Sequence, residues 1–425
     1  MVEGIRAVDT VQDVPFTSTL AETLAPDLLD RFLRYVRIDT QSERDRKQSP
    51  STPGQLDLAR LLVDELRAIG LDDAALDDNG YVTATLAGDG PVIGLIAHVD
   101  TSPDAPGAGV EPIVHRAHPG GQIELPHDGV LVEAPAGHDV VTSSGDTLLG
   151  ADDKAGVAEI MTAVAHLAAN PDLPRPTLRI CFTPDEEIGE GATLFDVERF
   201  GAVCAYTLDG SDLGELQDET FAAEEVSLTI TGVDAHPGWA KDVLVNAARI
   251  AGKIVAALPD ELTPERTDGR DGFIHVYEID ASGGRAVVRA IVRDFDDDKL
   301  AAHTALLRRT AEEVVAANPG ARLDVVVTPQ YPNMHRFIET FPEATSRAEE
   351  ALRAEGIEPI RTPIRGGTDG SKLSAMGLPT PNLFTGGHDY HSPREWASLQ
   401  EMSAAAATVV RLAEAWARDG APPPR

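Results

Sequence analysis

Residues 150–189 read GADDKAGVAEIMTAVAHLAANPDLPRPTLRICFTPDEEIG, and the fold class can be predicted from them. Residues 154–169 place apolar side chains at helical spacing, and this helix is predicted to end at Asn170-Pro171. The short apolar run 178–183 that follows is typical of a buried strand. Because a helix that leads directly into a buried strand is the repeating unit of α/β proteins, we expect an α/β sheet with parallel strand pairs.

The same alternation continues on both sides of residues 150–189. Helices are predicted at 26–38 and 54–69, and buried strands at 81–86, 92–97 and 203–208. Residues 1–26 have weak periodicity, which predicts a partly ordered lead-in, and the proline-rich residues 421–425 predict a disordered end.

A different pattern occupies residues 219–331. Strands are predicted at 226–231, 272–280, 286–294 and 322–328, and helices at 243–258 and 299–317. Their order is β-α-β-β-α-β, the ferredoxin-like arrangement, which is self-contained. The predicted architecture is therefore a discontinuous α/β domain, residues 1–218 and 332–425, interrupted by a second domain over residues 219–331.

Charge and composition limit the classes of partner. The chain has 425 residues, of which 36 are basic and 70 acidic, so its formal net charge is −34. This charge would be repelled by nucleic acid or by an anionic membrane, and we expect neither as a partner. Cys181 and Cys204 both lie in apolar, strand-like segments and are predicted to be buried free thiols. With no apolar run long enough to span a membrane and no signal-peptide pattern, a cytoplasmic location is predicted.

Acidic and imidazole residues gather where the predicted strands end. They are His98 and Asp100 after 92–97, Asp152 and Asp153 before the 154–169 helix, Glu186 and Glu187 after 178–183, Asp209 after 203–208, and His388 and His391 near the C-terminus. The carboxyl ends of strands are where open α/β sheets bind ligands, so these side chains are expected to converge. Histidines and carboxylates without a thiolate suit a divalent metal, zinc in particular.

The spacing of these residues also indicates which of them could bind metal and which could act as a general base. Of two adjacent glutamates, one can bind metal while the other acts as a general base on metal-activated water. A carboxylate shared between two metals holds them about 3.5–4 Å apart. Each motif alone has an ordinary explanation, since Asp152-Asp153 could be a helix N-cap pair and Asp-Glu-Glu a solvated surface. Their joint occurrence at successive strand ends favours a two-metal hydrolytic site.

Several motifs resemble those of a known family. They are HVD at 98–100, GADDKAG at 150–156, TPDEEIG at 183–189 and DG at 209–210, with VDAHPG at 233–238, IVRDFD at 291–296, PIRGGTDG at 363–370 and PNLFTGG at 381–387. With these motifs the chain resembles the dizinc exopeptidases and deacylases related to carboxypeptidase G, in order from about residue 28 to 415. The 219–331 insert matches the smaller lid domain of that family.

The resemblance implies a metal-binding role for five residues. Asp152 would be the bridging carboxylate, joined to Asp153 by a cis peptide bond. His98 and Asp209 would complete one metal site, and Glu187 and His391 the other. The family places its C-terminal histidine after an aromatic residue and four residues before a glutamate, here Glu395, which favours His391 over His388.

The resemblance also implies catalytic and substrate-binding residues. Glu186 would be the general base, Asp100 would orient His98, and His236 would stabilise the oxyanion. Residues that grip the peptide would be Arg293, Asn333 and Arg365. Two ordinary alternatives stay open: Arg293 could pair with Asp294 or Asp296, and Asn333 could be a turn residue after Pro332.

The function implied by the resemblance is that of a cytoplasmic dizinc aminopeptidase. It would remove the N-terminal residue of short peptides, tripeptides in particular, and would hold two Zn²⁺ per chain, with Co²⁺ or Mn²⁺ as substitutes. A dizinc deacylase or carboxypeptidase acting on N-acyl amino acids is the alternative with the same metal site. A non-catalytic peptide- or metal-binding protein is disfavoured, because it would not need the spare base Glu186. Whether the chain forms a homodimer is left open.

Overall fold

The computed structural model describes residues 15–45, 47–127 and 129–417. The tail at 421–425 lies outside these residues, as does the first part of the predicted lead-in. The prediction of a lead-in was wrong for its last residues, since the first helix of the described residues is Thr19–Tyr35. Ser18 caps this helix by accepting a hydrogen bond from the Ala21 amide, and Ala21 and Leu24 continue its buried stripe before Pro26.

The five predicted helices are present in the described residues, in the predicted order, as Thr19–Tyr35, Gly54–Ile69, Ala151–Ala169, Ala247–Ala256 and Asp297–Ala316. Five further helices in the described part of the chain were not predicted, and they are Val197–Phe200, His335–Ile338, Glu343–Ala354, Asp369–Ala375 and Leu399–Ala417. Short 3₁₀ turns lie at Glu186–Ile188, Pro237–Trp239 and Asp260–Leu262. None of these helices is long and apolar enough to cross a membrane. Helix Ala151–Ala169 is buried on nearly every side, including the side chain of Glu159.

The larger of two structural units is built around an eight-stranded mixed sheet. Its strands, in spatial order, are Ala75–Leu76, Val82–Leu86, Thr177–Thr183, Val92–His98, Cys204–Gly210, Asn382–Phe384, Glu215–Gln217 and Ile360–Arg361. Strand Val92–His98 pairs in parallel with Thr177–Thr183 on one side and with Cys204–Gly210 on the other. Its register sets His98 opposite Thr183, so the carboxyl ends of neighbouring strands lie level.

Two smaller sheets belong to the same unit. An antiparallel sheet has the order Gly387–His388, Trp396–Ser398, Val140–Thr142 and Ile113–His115, and a hairpin joins Gly121–Glu124 to Leu131–Ala134. Because Gly387–His388 pairs with Trp396–Ser398, the chain between them forms a loop that contains His391.

The second unit consists of Glu219–His335 and Pro363–Gly367, and the first unit of the remaining residues. The insert was predicted to end at 331, so the second unit runs four residues further and takes in a short later segment. Its antiparallel sheet has the order Phe273–Ala281, Arg285–Asp294, Ala222–Thr231 and Arg322–Tyr331, connected as β-α-β-β-α-β. The predicted 243–258 helix starts only at Ala247, because Asn246 caps it through a bond from the Arg249 amide.

Candidate metal centre

Three neighbouring parallel strands bring the predicted residues to one edge of the main sheet. His98 is the last residue of its strand, Thr183 leads into Glu186 and Glu187, and Asp209 lies near the end of Cys204–Gly210. The expected convergence at the carboxyl edge is therefore present for these residues, whereas His388, which was expected to join them, lies elsewhere.

His98 offers one ring nitrogen to two carboxylates. Its Nε2 lies 2.9 Å from Asp152 Oδ1 and 3.7 Å from Asp209 Oδ1, and its side chain is 3% exposed. Its Nδ1 lies 3.0 Å from the main-chain oxygen of Asp100 and 3.4 Å from the Asp100 carboxylate. A ring N–H that donates to a carbonyl fixes the tautomer and leaves the other nitrogen as a metal ligand. Asp100 thus contacts His98 mainly through its backbone.

Asp152 stands between two histidines. Its Oδ1 faces His98, and its Oδ2 lies 3.1 Å from Nε2 of His391. The peptide bond from Asp152 to Asp153 is cis, as the family motif predicts. Two carboxylate oxygens that face different imidazoles have the arrangement of a bridging metal ligand.

Glu187 completes the other side of the cluster. Its Oε2 lies 3.0 Å from His391 Nε2, whereas its Oε1 is buried and has no hydrogen-bond partner among the described residues. A buried carboxylate oxygen without a partner is costly, and a cation would satisfy it. The ligand atoms of His98, Asp152 and Glu187 all lie within 4.8 Å of one another, and so do those of His98, Asp153 and Asp209. These residues fit a metal centre.

The electrostatics of the cluster also favour a cation. Burial raises the pKa of Glu187 to about 8 and the pKa of Asp209 to about 6. Burial alone would lower the pKa of His391, but hydrogen bonds with Asp152 and Glu187 raise it to about 11. The two carboxylate shifts reflect the cost of burying negative charge, and a cation beside these groups would stabilise their charged form.

The family of the chain follows from its similarity to known proteins. Residues 146–415 match the model of peptidase family M20/M25/M40. The chain belongs to this family. It is 44% identical over 400 residues to peptidase T of Bacillus velezensis, and the match covers 91% of this chain and 98% of that protein. It is therefore a peptidase, as predicted.

Solved structures share the fold of this M20 peptidase. A tripeptidase from Staphylococcus aureus matches with a TM-score of 0.76 and 22% identity, over 93% of this chain and 99% of that one. A dinuclear metal-binding M20 peptidase from Bacillus subtilis matches with a TM-score of 0.64 and 18% identity, over 92% of this chain and 98% of that one. The predicted α/β fold class is thereby confirmed.

Asp100 has a contact in the M20 peptidase that its spacing from His98 did not reveal. Its fully buried carboxylate accepts hydrogen bonds from the backbone amides of Glu186, at 2.9 Å, and Glu187, at 3.2 Å. Asp100 therefore fixes the turn that carries both glutamates. Burial raises the pKa of Glu186 well above its ordinary value.

Glu395 also has a contact that sequence reasoning missed. Its Oε2 accepts hydrogen bonds of 2.7 Å from the amides of Leu149 and Gly150, and its Oε1 accepts one of 2.9 Å from the amide of Asp152. Burial raises the pKa of Glu395 to about 7. Glu395 thus binds the backbone of Asp152, in addition to following His391 at the spacing that the family motif shows.

His388 lies outside the cluster that contains His391. Its ring stacks on Trp396 with centroids 4.1 Å apart, and its Nε2 lies 2.8 Å from Glu401. Its Nδ1 lies 3.3 Å from Asp212. The structure therefore places His391, and not His388, beside Asp152.

Two further buried carboxylates, Asp153 and Asp369, were given no role as metal ligands or catalytic residues. Asp153 accepts a hydrogen bond of 3.0 Å from the amide of His98, and Asp369 accepts one of 2.8 Å from the Thr183 hydroxyl. Burial raises the pKa of Asp369 to about 6. Both lie in quoted motifs, but nothing in those motifs specifies these contacts.

His236 and Arg365 belong to the second unit, and their contacts within it can be stated. His236 is exposed, accepts a hydrogen bond from the Gly238 amide, and has its ring 4.6 Å from that of Trp239. Arg365 donates from Nη1 to the main-chain oxygens of Gly269 and Asp271. Its substrate contact stays a prediction.

Arg293 and Asn333 also have partners inside the second unit. Arg293 donates to the Arg365 main-chain oxygen at 3.4 Å, and its buried Nε has no hydrogen-bond partner among the residues described. Asn333 accepts a hydrogen bond of 2.9 Å from the His335 amide and donates one of 3.0 Å to the Phe295 main-chain oxygen. The turn role considered for Asn333 is thus present, and substrate binding by either residue stays a prediction.

Proposed function

We propose that this M20 peptidase is a dizinc aminopeptidase that removes the N-terminal residue of short peptides, tripeptides in particular. The observation that carries the proposal is the position of Asp152, whose two carboxylate oxygens face His98 and His391 separately. The similarity to peptidase T of Bacillus velezensis and to a tripeptidase of Staphylococcus aureus supports the substrate class.

Five side chains would hold two zinc ions. His98 and Asp209 would bind one ion, Glu187 and His391 the other, and Asp152 would bridge them. Glu187 Oε1, which has no hydrogen-bond partner in the part of the chain that the structure describes, supports this assignment, as do the raised pKa values of Glu187 and Asp209. Bound zinc would polarise the scissile carbonyl and lower the pKa of water.

Glu186 would move the proton in the reaction. Its carboxylate accepts a proton from the attacking water while the water oxygen bonds to the carbonyl carbon. It then returns the proton to the amine nitrogen as the carbon–nitrogen bond breaks. Asp100 supports this role by holding the Glu186 and Glu187 amides, which fixes the backbone from which the base projects.

The second unit would act as a lid that contributes substrate contacts. On the strength of the matching motifs, we assign oxyanion stabilisation to His236 and peptide binding to Arg293, Asn333 and Arg365. The exposed ring of His236 in a Pro-Gly turn supports a contact with substrate more than a role in packing.

We also propose that the enzyme works in the cytoplasm. Cys181 and Cys204 are buried free thiols, which suits a reducing compartment. The formal net charge of −34 disfavours nucleic acid and anionic membranes as partners. Short peptides are then the expected substrates.

A matched pair of substrates tests the proposal. A free tripeptide and the same tripeptide with an acetylated N-terminus are assayed on one zinc-loaded preparation whose metal content is measured. We expect about two zinc ions per chain and hydrolysis of the free peptide only. Hydrolysis of the acetylated peptide alone would indicate a deacylase or carboxypeptidase instead of an aminopeptidase. Full zinc occupancy with no hydrolysis of any peptide would indicate a binding protein.

A further inference from the structure

The turn before Glu186 has an unusual backbone. Asp185 follows the strand Thr177–Thr183, is fully buried, and has a φ of 60° in the left-handed region. Residues with a Cβ adopt this conformation rarely, and aspartate and asparagine adopt it more readily than most. A buried left-handed residue needs hydrogen bonds to hold it, and here they come from a distant segment of the chain.

Ser51 and Gln55 supply these hydrogen bonds, and we call the pair the Ser51–Gln55 clamp. The Ser51 amide donates to both carboxylate oxygens of Asp185, at 3.0 and 2.8 Å, and the Ser51 hydroxyl donates at 2.5 Å. The Gln55 amide group donates to Asp185 at 2.8 Å, and its oxygen accepts the Asp185 amide at 3.2 Å. Ser51 and Gln55 are 7% and 1% exposed, so water does not compete for these bonds.

The clamp is connected to the metal cluster through the backbone. Asp185 is followed by Glu186 and Glu187, whose amides donate to the carboxylate of Asp100. The main-chain oxygen of Asp100 in turn contacts the His98 ring. The turn that carries both glutamates is thus held at its first residue by the clamp and at the next two by Asp100.

We propose that Ser51 and Gln55 are positioning residues for Glu186, acting through Asp185. This inference rests on the proposed role of Glu186 as the general base. A displacement of about 1 Å at a reacting group can cost about 10²-fold in rate, so loosening the turn should lower kcat. Of the five proposed metal ligands only Glu187 shares this turn, and the Asp100 carboxylate still holds its amide, so KM and metal content should change little.

Two variants of Asp185 distinguish the effect of its backbone conformation from the effect of its carboxylate. Asp185→Gly allows the left-handed φ but removes the carboxylate, whereas Asp185→Asn tolerates that φ and keeps one oxygen for Ser51. With a tripeptide and the zinc-loaded enzyme, we expect kcat to fall about 10²-fold in Asp185→Gly and less than about 10-fold in Asp185→Asn. KM and zinc content should stay within about twofold in both. An Asp185→Gly enzyme with normal kcat would overturn the proposal.

A reciprocal exchange tests Gln55 directly. Gln55→Glu sets two carboxylates against each other and should lower kcat about 10²-fold. Adding Asp185→Asn restores a donor opposite an acceptor, and kcat should recover about tenfold. Absence of recovery, or a loss of activity that excess zinc reverses, would overturn the proposal, because the clamp would then serve overall folding or the ligand Glu187.

A matched control and a separate variant complete the design. Asp196 accepts the Arg199 amide at the start of helix Val197–Phe200, so Asp196→Asn makes the same change outside the clamp and the metal cluster and should leave kcat unchanged. Glu186→Gln tests the proposed function itself. If Glu186→Gln keeps full activity, the base assignment fails. If Glu186→Gln is inactive while Asp185→Gly has normal kcat, only the clamp fails.

Discussion

The backbone amide of Asp152 donates a 2.9 Å hydrogen bond to Oε1 of Glu395, a residue 243 positions later in the chain. The other carboxylate oxygen of Glu395 accepts the amides of Leu149 and Gly150, so one side chain fixes the whole approach to Asp152. Glu395 is the last residue of the loop that follows strand Gly387–His388 and contains His391. Glu395 therefore links the loop that contains His391 to the backbone of Asp152, the central candidate ligand.

Replacement of Glu395 should weaken metal binding. Glu395→Gln leaves at least one of the three amides without an acceptor, at a cost of about 1–3 kcal/mol in stability. Groups that orient ligands change metal affinity by about 10–100-fold, and we expect a loss of this size. Zinc affinity is measured by competition with a chelator. Glu401→Gln, which lies beside His388 and away from Asp152, is the control and should bind zinc normally. Unchanged affinity in Glu395→Gln would refute the coupling.

Replacement of Glu186 should abolish turnover and leave the metal in place. Acid–base catalysis contributes about 10²–10⁴-fold, so kcat of Glu186→Gln should fall by at least this amount. Zinc content should stay near that of the unchanged enzyme, because five other side chains are assigned to the metals. Steady-state kinetics on a tripeptide and metal analysis of the same sample give both values. Glu198→Gln, at an exposed position of helix Val197–Phe200, should have normal kcat.

Removal of the metals should stop catalysis and lower stability. Dialysis against a chelator is expected to abolish tripeptide hydrolysis, and added zinc, cobalt or manganese should restore it. A ligand present at 100 times its Kd stabilises the folded state by about 2.7 kcal/mol, so the metal-free protein should also unfold at a lower temperature. Thermal unfolding with and without zinc measures this effect. Full activity in a protein shown to contain no metal would contradict the dizinc proposal.

Zinc binding should weaken as the pH falls. Glu187 has a pKa of about 8 and Asp209 one of about 6, both raised by burial, and each must lose its proton to bind a cation. Below pH 8 protons therefore compete with zinc, and the affinity at pH 6 should be at least about tenfold weaker than at pH 8. Chelator competition at the two pH values measures the ratio. Equal affinities would show that these carboxylates are not ligands.

Glu159 should make stability depend on pH. It is fully buried without a hydrogen-bond partner in the described part of the chain, and burial raises its pKa well above the ordinary value. The folded chain therefore keeps this proton to a higher pH than the unfolded chain, whose glutamate titrates near about 4.3. As the pH rises above that value, the free energy of unfolding should fall by up to about 1.4 kcal/mol per pH unit.

Glu159→Met replaces the buried carboxyl group by an apolar side chain of similar volume, and so removes the cost of ionising that group. Relative to the unchanged protein, the variant should gain stability progressively from pH 5 to pH 8. Urea unfolding of the zinc-loaded proteins at three pH values measures the difference. Glu198→Met, at an exposed position, should show no such trend. A stability difference that is the same at every pH would refute the assignment.

Local patterns predicted the central helices and strands and the polar residues at the strand ends, and the family resemblance assigned the metal ligands among those residues. Helix Gly54–Ile69 matches its prediction at both ends, because apolar spacing defines its buried face and Gly70, with a φ of 104°, ends it in the left-handed region. Runs of buried apolar residues located the central strands, and the polar residues after them followed from the rule for α/β sheets. Each of these patterns is local, because it can be recognised from a few neighbouring residues.

The tertiary structure decided which of these residues touch. That Asp100 holds Glu186, that Glu395 holds Asp152, and that Ser51 holds Asp185 could not be predicted, because these pairs are 86, 243 and 134 residues apart. The sheet register and the loop paths bring them together, and no local spacing encodes either. His391 was chosen over His388 by resemblance, and its place beside Asp152 depends on a loop that the pairing of Gly387–His388 with Trp396–Ser398 closes. The sequence thus named the chemical groups, and long-range packing set their geometry.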